Sequence, residues 1–363
     1  MKYIEEFRNP VLIKKIIKKT NKMMEDYGKP IQLMEVCGTH TVAISRSGLR
    51  KLFHPLKLLS GPGCPVCVTP NHYMDKAIAY SRRKEVIITT FGDMMRVPGS
   101  TSSLEREKAE GRDVRVVYSA LDALQVARDN PGKKVIFLGV GFETTTPTVA
   151  LTIKIAKREN LKNFFVYSGH KLIPPAMEAL LEDSEVSIDG FICPGHVSTI
   201  IGSLPYEFIP HRYNIPCVIT GFEPLDVAEG IAMLVEQIVN GKKPAVQIQY
   251  ARSVKREGNK KAVSIMQEVF SVEQSNWRGV GTIPLSGLKI GEEYSRFDSE
   301  RNIQVEVEPT KENQACICGD ILRGVKSPPD CKLFRRGCTP EQPVGACMVS
   351  SEGTCAAYFK YEG

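Results

Sequence analysis

Eight short apolar runs within the first 245 residues constrain the fold more than any other feature of this chain. They lie at Gln32–Val36, Leu56–Leu59, Val86–Thr90, Val114–Tyr118, Val135–Val140, Phe164–Tyr167, Phe191–Cys193 and Cys217–Thr220. Each is rich in β-branched or large apolar residues and runs into Gly, Pro, Ser or Thr, after which a helical pattern begins. Strands that alternate with helices pair in parallel, because each helix carries the chain back across a face of the sheet. The expected fold class is therefore α/β with parallel sheets. The helix starts are marked. Asn9 stands as a cap before Pro10, Ser102 with Glu105 reads as a capping box, and Ser119 precedes an Ala/Leu-rich stretch. Thr146-Pro147 and Glu223-Pro224 place proline at the first helical turn, and Gly241 closes the last of these helices.

The strands divide as four and four near Asp129-Asn130-Pro131-Gly132. The expected organisation is one α/β domain over residues 1–130 and a second over 131–245. Both halves end strands in small-residue turns, Val36-Cys37-Gly38-Thr39-His40 and Val140-Gly141-Phe142-Glu143-Thr144, the pattern a duplication would leave. From residue 246 the alternation stops and a tail rich in Gly, Pro and Cys follows. Residues 246–363 read as a smaller C-terminal unit organised by metal, since few apolar residues are available there to form a core.

A formal net charge of +7 over 363 residues is modest and dispersed. The densest basic cluster, Lys14, Lys15, Lys18, Lys19 and Lys22, alternates with Leu12, Ile13, Ile16, Ile17, Met23 and Met24, which is the polar face of an amphipathic helix. Aromatics interleaved with these charges would mark nucleic-acid binding, and none are there. Runs such as Val135-Ile136-Phe137-Leu138 fall far short of the ~20 apolar residues of a membrane span. Met1-Lys2-Tyr3-Ile4-Glu5-Glu6 puts acidic residues where an export signal is apolar, so a cytoplasmic location is expected.

Eleven cysteines, an odd number in a chain of cytosolic character, point to metal or redox chemistry rather than structural disulfides. Six of them lie between Cys316 and Cys355: Cys316-Ile317-Cys318, Cys331, Cys338, Cys347 and Cys355. A cubane cluster takes four thiolates converging from different directions. Zinc is the competing reading, but structural zinc sites show paired C-x2–4-C knuckles and this tail has none. A [4Fe-4S] cluster held by Cys316, Cys331, Cys338 and Cys355 is expected, with Cys318 and Cys347 as a dithiol/disulfide couple beside it. Spacing alone leaves the choice between Cys316 and Cys318 open. The basic turn Lys332-Leu333-Phe334-Arg335-Arg336-Gly337 is expected to offset the cluster's negative charge.

Two further cysteine motifs follow strands. Cys37 ends the first in Glu35-Val36-Cys37-Gly38-Thr39-His40, and the carboxyl end of a parallel strand is where α/β sheets bind ligands. Gly38 admits a close backbone approach, and His40 is placed to depress the thiol pKa or to bind metal. Gly61-Pro62-Gly63-Cys64-Pro65-Val66-Cys67 follows the second strand and offers a C-x-x-C pair, suited to a disulfide or a soft metal, before the helix after Pro70. Asp93, Glu143, Thr144, His170 and His196 are further strand-end candidates, whereas Cys193 and Cys217 fit core packing. Gly139-Val140-Gly141 does not complete a G-x-G-x-x-G fingerprint, and no P-loop is found.

Taken together these motifs resemble the HypD family of hydrogenase maturation factors. The resemblance runs from Cys37-Gly38-Thr39-His40 and the Gly61–Cys67 loop through Gly141-Phe142-Glu143-Thr144-Thr145 and Pro194-Gly195-His196-Val197-Ser198. It ends with Cys338-Thr339-Pro340-Glu341 and Met348–Cys355. It implies a [4Fe-4S] cluster and a role in assembling the Fe(CN)2CO group of [NiFe]-hydrogenases with the small partner HypC, cyanide arriving from the carrier HypE. By similarity Cys37 binds the iron jointly with a HypC cysteine, Gly38, Thr39 and His196 surround it, and Cys64 and Cys67 form the neighbouring thiol pair. A cluster beside a redox-active disulfide is also similar to the arrangement in ferredoxin:thioredoxin reductase. The rival readings are a stand-alone iron–sulfur thiol–disulfide oxidoreductase and a structural scaffold whose cluster only folds the tail.

Overall fold

In a computed structural model that describes residues 5–241 and 243–363, the strands are β1 (Gln32–Glu35), β2 (Lys57–Ser60), β3 (Val86–Thr90), β4 (Val114–Val116), β5 (Lys134–Gly139), β6 (Phe164–Ser168), β7 (Gly190–Pro194), β8 (Cys217–Thr220), β9 (Val246–Ile248), β10 (Phe270–Trp277) and β11 (Gly281–Ile290). The first eight fall on the eight apolar runs. Met1–Ile4, read above against an export signal, lie outside the described residues.

The strands build two sheets and a hairpin. The first sheet has the order β2-β1-β7-β8-β9 and the second β4-β3-β5-β6, every pairing in both being parallel. β10 and β11 pair antiparallel. The four-and-four division at residue 130 therefore gives way to a nested one. β3 to β6 form a complete sheet inserted between β2 and β7, and β7 returns to pair with β1. Each run encodes its own strand, but partner choice is non-local, and here Leu33, Met34 and Glu35 register with Gly190, Phe191 and Ile192 rather than with the next strands in sequence. Discounting the edge strand β9, the two sheets share one plan: second, first, third, fourth strand.

Both faces of the strands inside the two sheets are buried, which is why they read as continuous apolar runs, while the edge strands β4 and β9 are partly open. Within β5, Val135 and Phe137 pack with Ala123 and Leu124 of the helix Ala120–Asp129 and with Ile153 of the helix Thr146–Arg158. Ile136 and Leu138 face the opposite way, into a central core that also takes Met34, Leu59, Phe191 and Ile219 from the first sheet. The outer face of that sheet, with Leu33, Leu58, Ile192 and Val218, is covered by the helices Pro10–Tyr27 and Pro224–Val239. Asn9 caps the former as expected, its side chain accepting from the Val11 and Leu12 amides. Ser103, one residue beyond the expected Ser102, caps Leu104–Ala109.

The C-terminal residues contribute to the same central core instead of standing apart. Trp277, Ile283, Cys318, Leu322, Cys338, Cys347 and Cys355 all belong to it. No helix among the described residues is long and apolar enough to cross a membrane.

Candidate functional site

The order of a parallel sheet reverses between β1 and β7 in the first sheet and between β3 and β5 in the second, and a ligand crevice opens at such a switch point. The two switch points face one cleft of about 430 Å3. Its wall takes Cys37 and Thr39 from beyond β1, Cys64 from beyond β2, Asp93 from beyond β3, Thr144 from beyond β5 and His196 from beyond β7. Ser350, Ser351 and Glu352 of the cysteine-rich tail close it.

Cys37 stands at the N-terminus of the helix Gly38–Arg46, held from several sides. Its amide donates to Glu35 Oε2 at 2.9 Å, and the Gly38 amide donates to the Gly63 carbonyl at 3.0 Å, locking the C-x-x-C loop against it. Thr39 Oγ1 donates to Glu352 Oε1 at 2.7 Å, tying the tail across the helix start. Burial pushes the Cys37 thiol up to about 12, and the charges of Glu352 and Glu35 act in the same direction. Burial likewise raises Glu35 to about 7. This environment favours the neutral thiol of Cys37 over the thiolate.

His40 does not play the expected part. Its ring does not line the cleft; Nε2 lies 3.0 Å from the Gly221 carbonyl and 2.8 Å from Thr220 Oγ1, and burial lowers its pKa to about 4. It meets Cys37 through its backbone N–H, which favours the thiolate, while the imidazole stays neutral and structural. His196 does line the cleft, stacked on Phe222 with ring centroids 3.9 Å apart. Of the other candidates, Glu143 is buried, accepting from the Ile173 amide at 3.0 Å, and His170 is buried against Ser168 Oγ at 3.1 Å.

The C-x-x-C pair links this cleft to the tail. Cys64 lines the cleft, and its sulfur accepts from the Cys67 amide at 3.3 Å. Burial raises the pKa of the Cys67 thiol, which donates to the Ala346 carbonyl at 3.9 Å, next to Cys347, and interacts with the side chains of Cys347 and Cys64. The Cys347 thiol in turn meets Cys318 and Cys355. Cys318 Sγ lies 2.9 Å from Cys347 Sγ. A continuous file of sulfurs therefore leads from the cleft, through Cys64, Cys67 and Cys347, to Cys318.

At the far end Cys316, Cys318, Cys331, Cys338, Cys347 and Cys355 surround a cavity of about 20 Å3, lined otherwise by groups such as Leu333, Phe334 and Met348. Among the described residues no three His, Cys, Asp or Glu groups converge at the reach of a single metal ion. The six sulfurs are instead spread around the cavity. Such an apolar pocket of soft donors is compatible with a metal or cluster. The basic turn does not serve it: Lys332 and Arg336 are exposed, and Arg335 donates to the Tyr358 and Phe359 carbonyls.

The HypD family model, described as the hydrogenase formation hypA family, matches residues 11–362. The chain belongs to the HypD family. It is 47% identical to hydrogenase maturation factor HypD2 of Bradyrhizobium diazoefficiens over 99% of this chain and 97% of that protein. It is 46% identical to HypD of Rhodobacter capsulatus (100% and 99%) and 41% identical to HypD of Escherichia coli (99% and 98%). A role in hydrogenase maturation follows from this membership.

In this HypD-family chain the sequence motifs located Cys37, Cys64, Asp93, Thr144 and His196 on the cleft, all from strand ends. Ser350 and Glu352 were missed as site residues. They reach the cleft only because the tail folds back across 257 to 313 positions, Ser350 Oγ donating to Asp93 Oδ2 at 2.8 Å and Glu352 accepting from Thr39. Their position between Cys347 and Cys355 was the one available signal.

Proposed function

We propose that the cleft is where an iron centre with cyanide and CO ligands is assembled for [NiFe]-hydrogenase, with the iron as cargo on Cys37, shared with a cysteine of HypC. HypE presents the cyanide. The observation that carries this reading is the sequence of neighbouring sulfurs: Cys64 lines the same cleft as Cys37, while the Cys67 thiol meets the Ala346 carbonyl beside Cys347, which lies 2.9 Å from Cys318. We place this assembly in the cytoplasm, where free thiols stay reduced.

Release of cyanide from a thiocyanate on a carrier sulfur takes two electrons: the S–C bond breaks, and the products are the carrier thiol and hydrogen cyanide. Cys64 and Cys67 supply both electrons and both protons by closing a disulfide. Cys347 attacks Cys67 and expels the Cys64 thiolate, and Cys318, 2.9 Å away, resolves the mixed disulfide. The dithiol at the cleft is restored, and the oxidation is moved to Cys318–Cys347. The soft-donor lining of this cavity suits a [4Fe-4S] cluster on Cys316, Cys331, Cys338 and Cys355, which when bound would supply one-electron chemistry beside that pair.

Anaerobic iron and sulfide analysis with Mössbauer spectroscopy, on wild type and Cys37→Ala, tests the reading. Four cluster irons in both, with one extra low-spin iron only in wild type co-purified with HypC, is the expected result. Four irons in both and no extra iron favours the stand-alone thiol–disulfide oxidoreductase. Zinc in place of iron overturns the cluster.

A further inference from the structure

The β10–β11 turn carries Arg278 into the interior, between the C-x-x-C loop and the C-x-C motif. The Arg278 amide donates to the Val68 carbonyl at 2.9 Å, and Nε donates to the Thr69 carbonyl at 2.7 Å, one and two residues beyond Cys67. Gly279, with φ +73°, lies against Gly319, so closely that a methyl group on Gly279 would fall 2.1 Å from the Gly319 Cα. Gly319 directly follows Cys318. Arg278, Cys316 and Cys318 consequently line one cavity of about 660 Å3.

Arg278 is only 8% exposed, and its Nη2 has no hydrogen-bond partner. Among the described residues no carboxylate pairs with it. The Thr69 carbonyl satisfies one hydrogen bond of the guanidinium but not its full charge. A guanidinium stays protonated in any protein environment, and burying that charge unpaired is strongly unfavourable. The site therefore calls for an anion. The exposed Lys332 and Arg336, and Arg335 bound to the last carbonyls of the helix Thr354–Tyr361, leave the cysteine cavity without the compensation its basic turn was expected to give.

We infer that Arg278 is the buried counter-charge of the cluster, a positioning residue that sets its potential from the Cys316 side. This rests on the cluster reading above. Four thiolates leave a [4Fe-4S] centre with net negative charge, and reduction adds one more, so a fixed cation beside it favours the reduced state. The turn also fastens the end of the C-x-x-C loop, so the residue that compensates the cluster holds the loop carrying Cys67.

The test is an EPR-monitored redox titration of the anaerobic holoprotein, for wild type, Arg278→Gln and Arg278→Lys, with the rate of iron loss to a chelator. Arg278→Gln is expected to shift the midpoint to more negative potential and to lose iron faster, while Arg278→Lys stays near wild type. A glutamine variant with the wild-type potential and rate overturns the inference, as does a lysine variant that shifts as far as glutamine. Pulsed EPR on reduced wild type grown with 15N-arginine needs no variant to fold: a nitrogen coupling to the cluster is expected, and its absence overturns the inference. Metal analysis of wild type is read first, and zinc or no iron there would sink the cluster reading and this one together, whereas an unmoved potential on four irons sinks this one alone.

Discussion

Gly63 sits against the main chain of Cys37: a methyl group built on it would fall 2.1 Å from the Cys37 nitrogen and 2.4 Å from its Cα. These are backbone atoms, at the root of a buried helix, and cannot swing aside. Gly63→Ala therefore has to separate the C-x-x-C loop from Cys37. We expect a loss of about 2–3 kcal/mol or more in denaturant melts, and loss of the extra low-spin iron even where the protein remains folded.

Cys318 and Cys347 are within 2.9 Å, whereas Cys316 faces the same cavity without that partner. Cys316→Ser is expected to lower bound iron and sulfide, and Cys318→Ser to leave both near wild type. Non-reducing peptide mapping of the oxidised protein should show a Cys318–Cys347 bridge, absent from Cys318→Ser.

Glu143 has no partner for Oε2, and burial raises its pKa from an ordinary 4.5 to about 7. The unfolded chain releases this proton near 4.5 and the folded chain near 7, so between these values the folded state binds more protons. Stability from this group is complete below 4.5 and falls as pH rises to 7. Glu143→Gln should gain on wild type by about 2–3 kcal/mol between pH 4.5 and 7.5, at 1.36 kcal/mol per pK unit. Paired urea melts at the two pH values measure it.

Lys171 shows the opposite sign. Burial lowers its pKa from 10.5 to about 7, with Nζ donating to Ser275 Oγ and the Asn276 carbonyl at 2.7 and 2.6 Å. The unfolded chain takes up a proton near 10.5 and the folded chain only near 7, so stability falls as pH drops through that window. Lys171→Met should flatten the dependence between pH 7 and 10 in the same melts.

Glu352 is the second contributor, after burial, to the raised Cys37 thiol. Glu352→Gln keeps an acceptor for Thr39 and removes the charge. Alkylation of Cys37 in metal-free protein at pH 8 should become a few-fold faster, and an unchanged rate would leave burial as the whole cause.

The strands were legible because each run carries its own signature: β3 and β8 have the expected bounds, and the other six differ by one or two residues at one or both ends. The switch-point residues were legible too, since a small residue or cysteine at a strand end is a local feature. Ser350, Glu352 and Arg278 were not, because apart from the cysteines flanking the first two, nothing near them in sequence indicates what they touch.

By itself, then, the sequence determined the parallel α/β class and the family, both of which are written in local periodicity and residue identity. Tertiary structure decided which strands share a sheet, nesting β3–β6 inside the first sheet by pairing β1 with β7. It decided that two switch points share one cleft, that the sulfurs of Cys64, Cys67, Cys347 and Cys318 form a file, and that the His40 ring is turned to Thr220 and Gly221 instead of Cys37. The physical reason is common to all three. Partner choice and protonation depend on burial and on contacts made across some hundreds of positions, and these exist only once the chain has closed on itself.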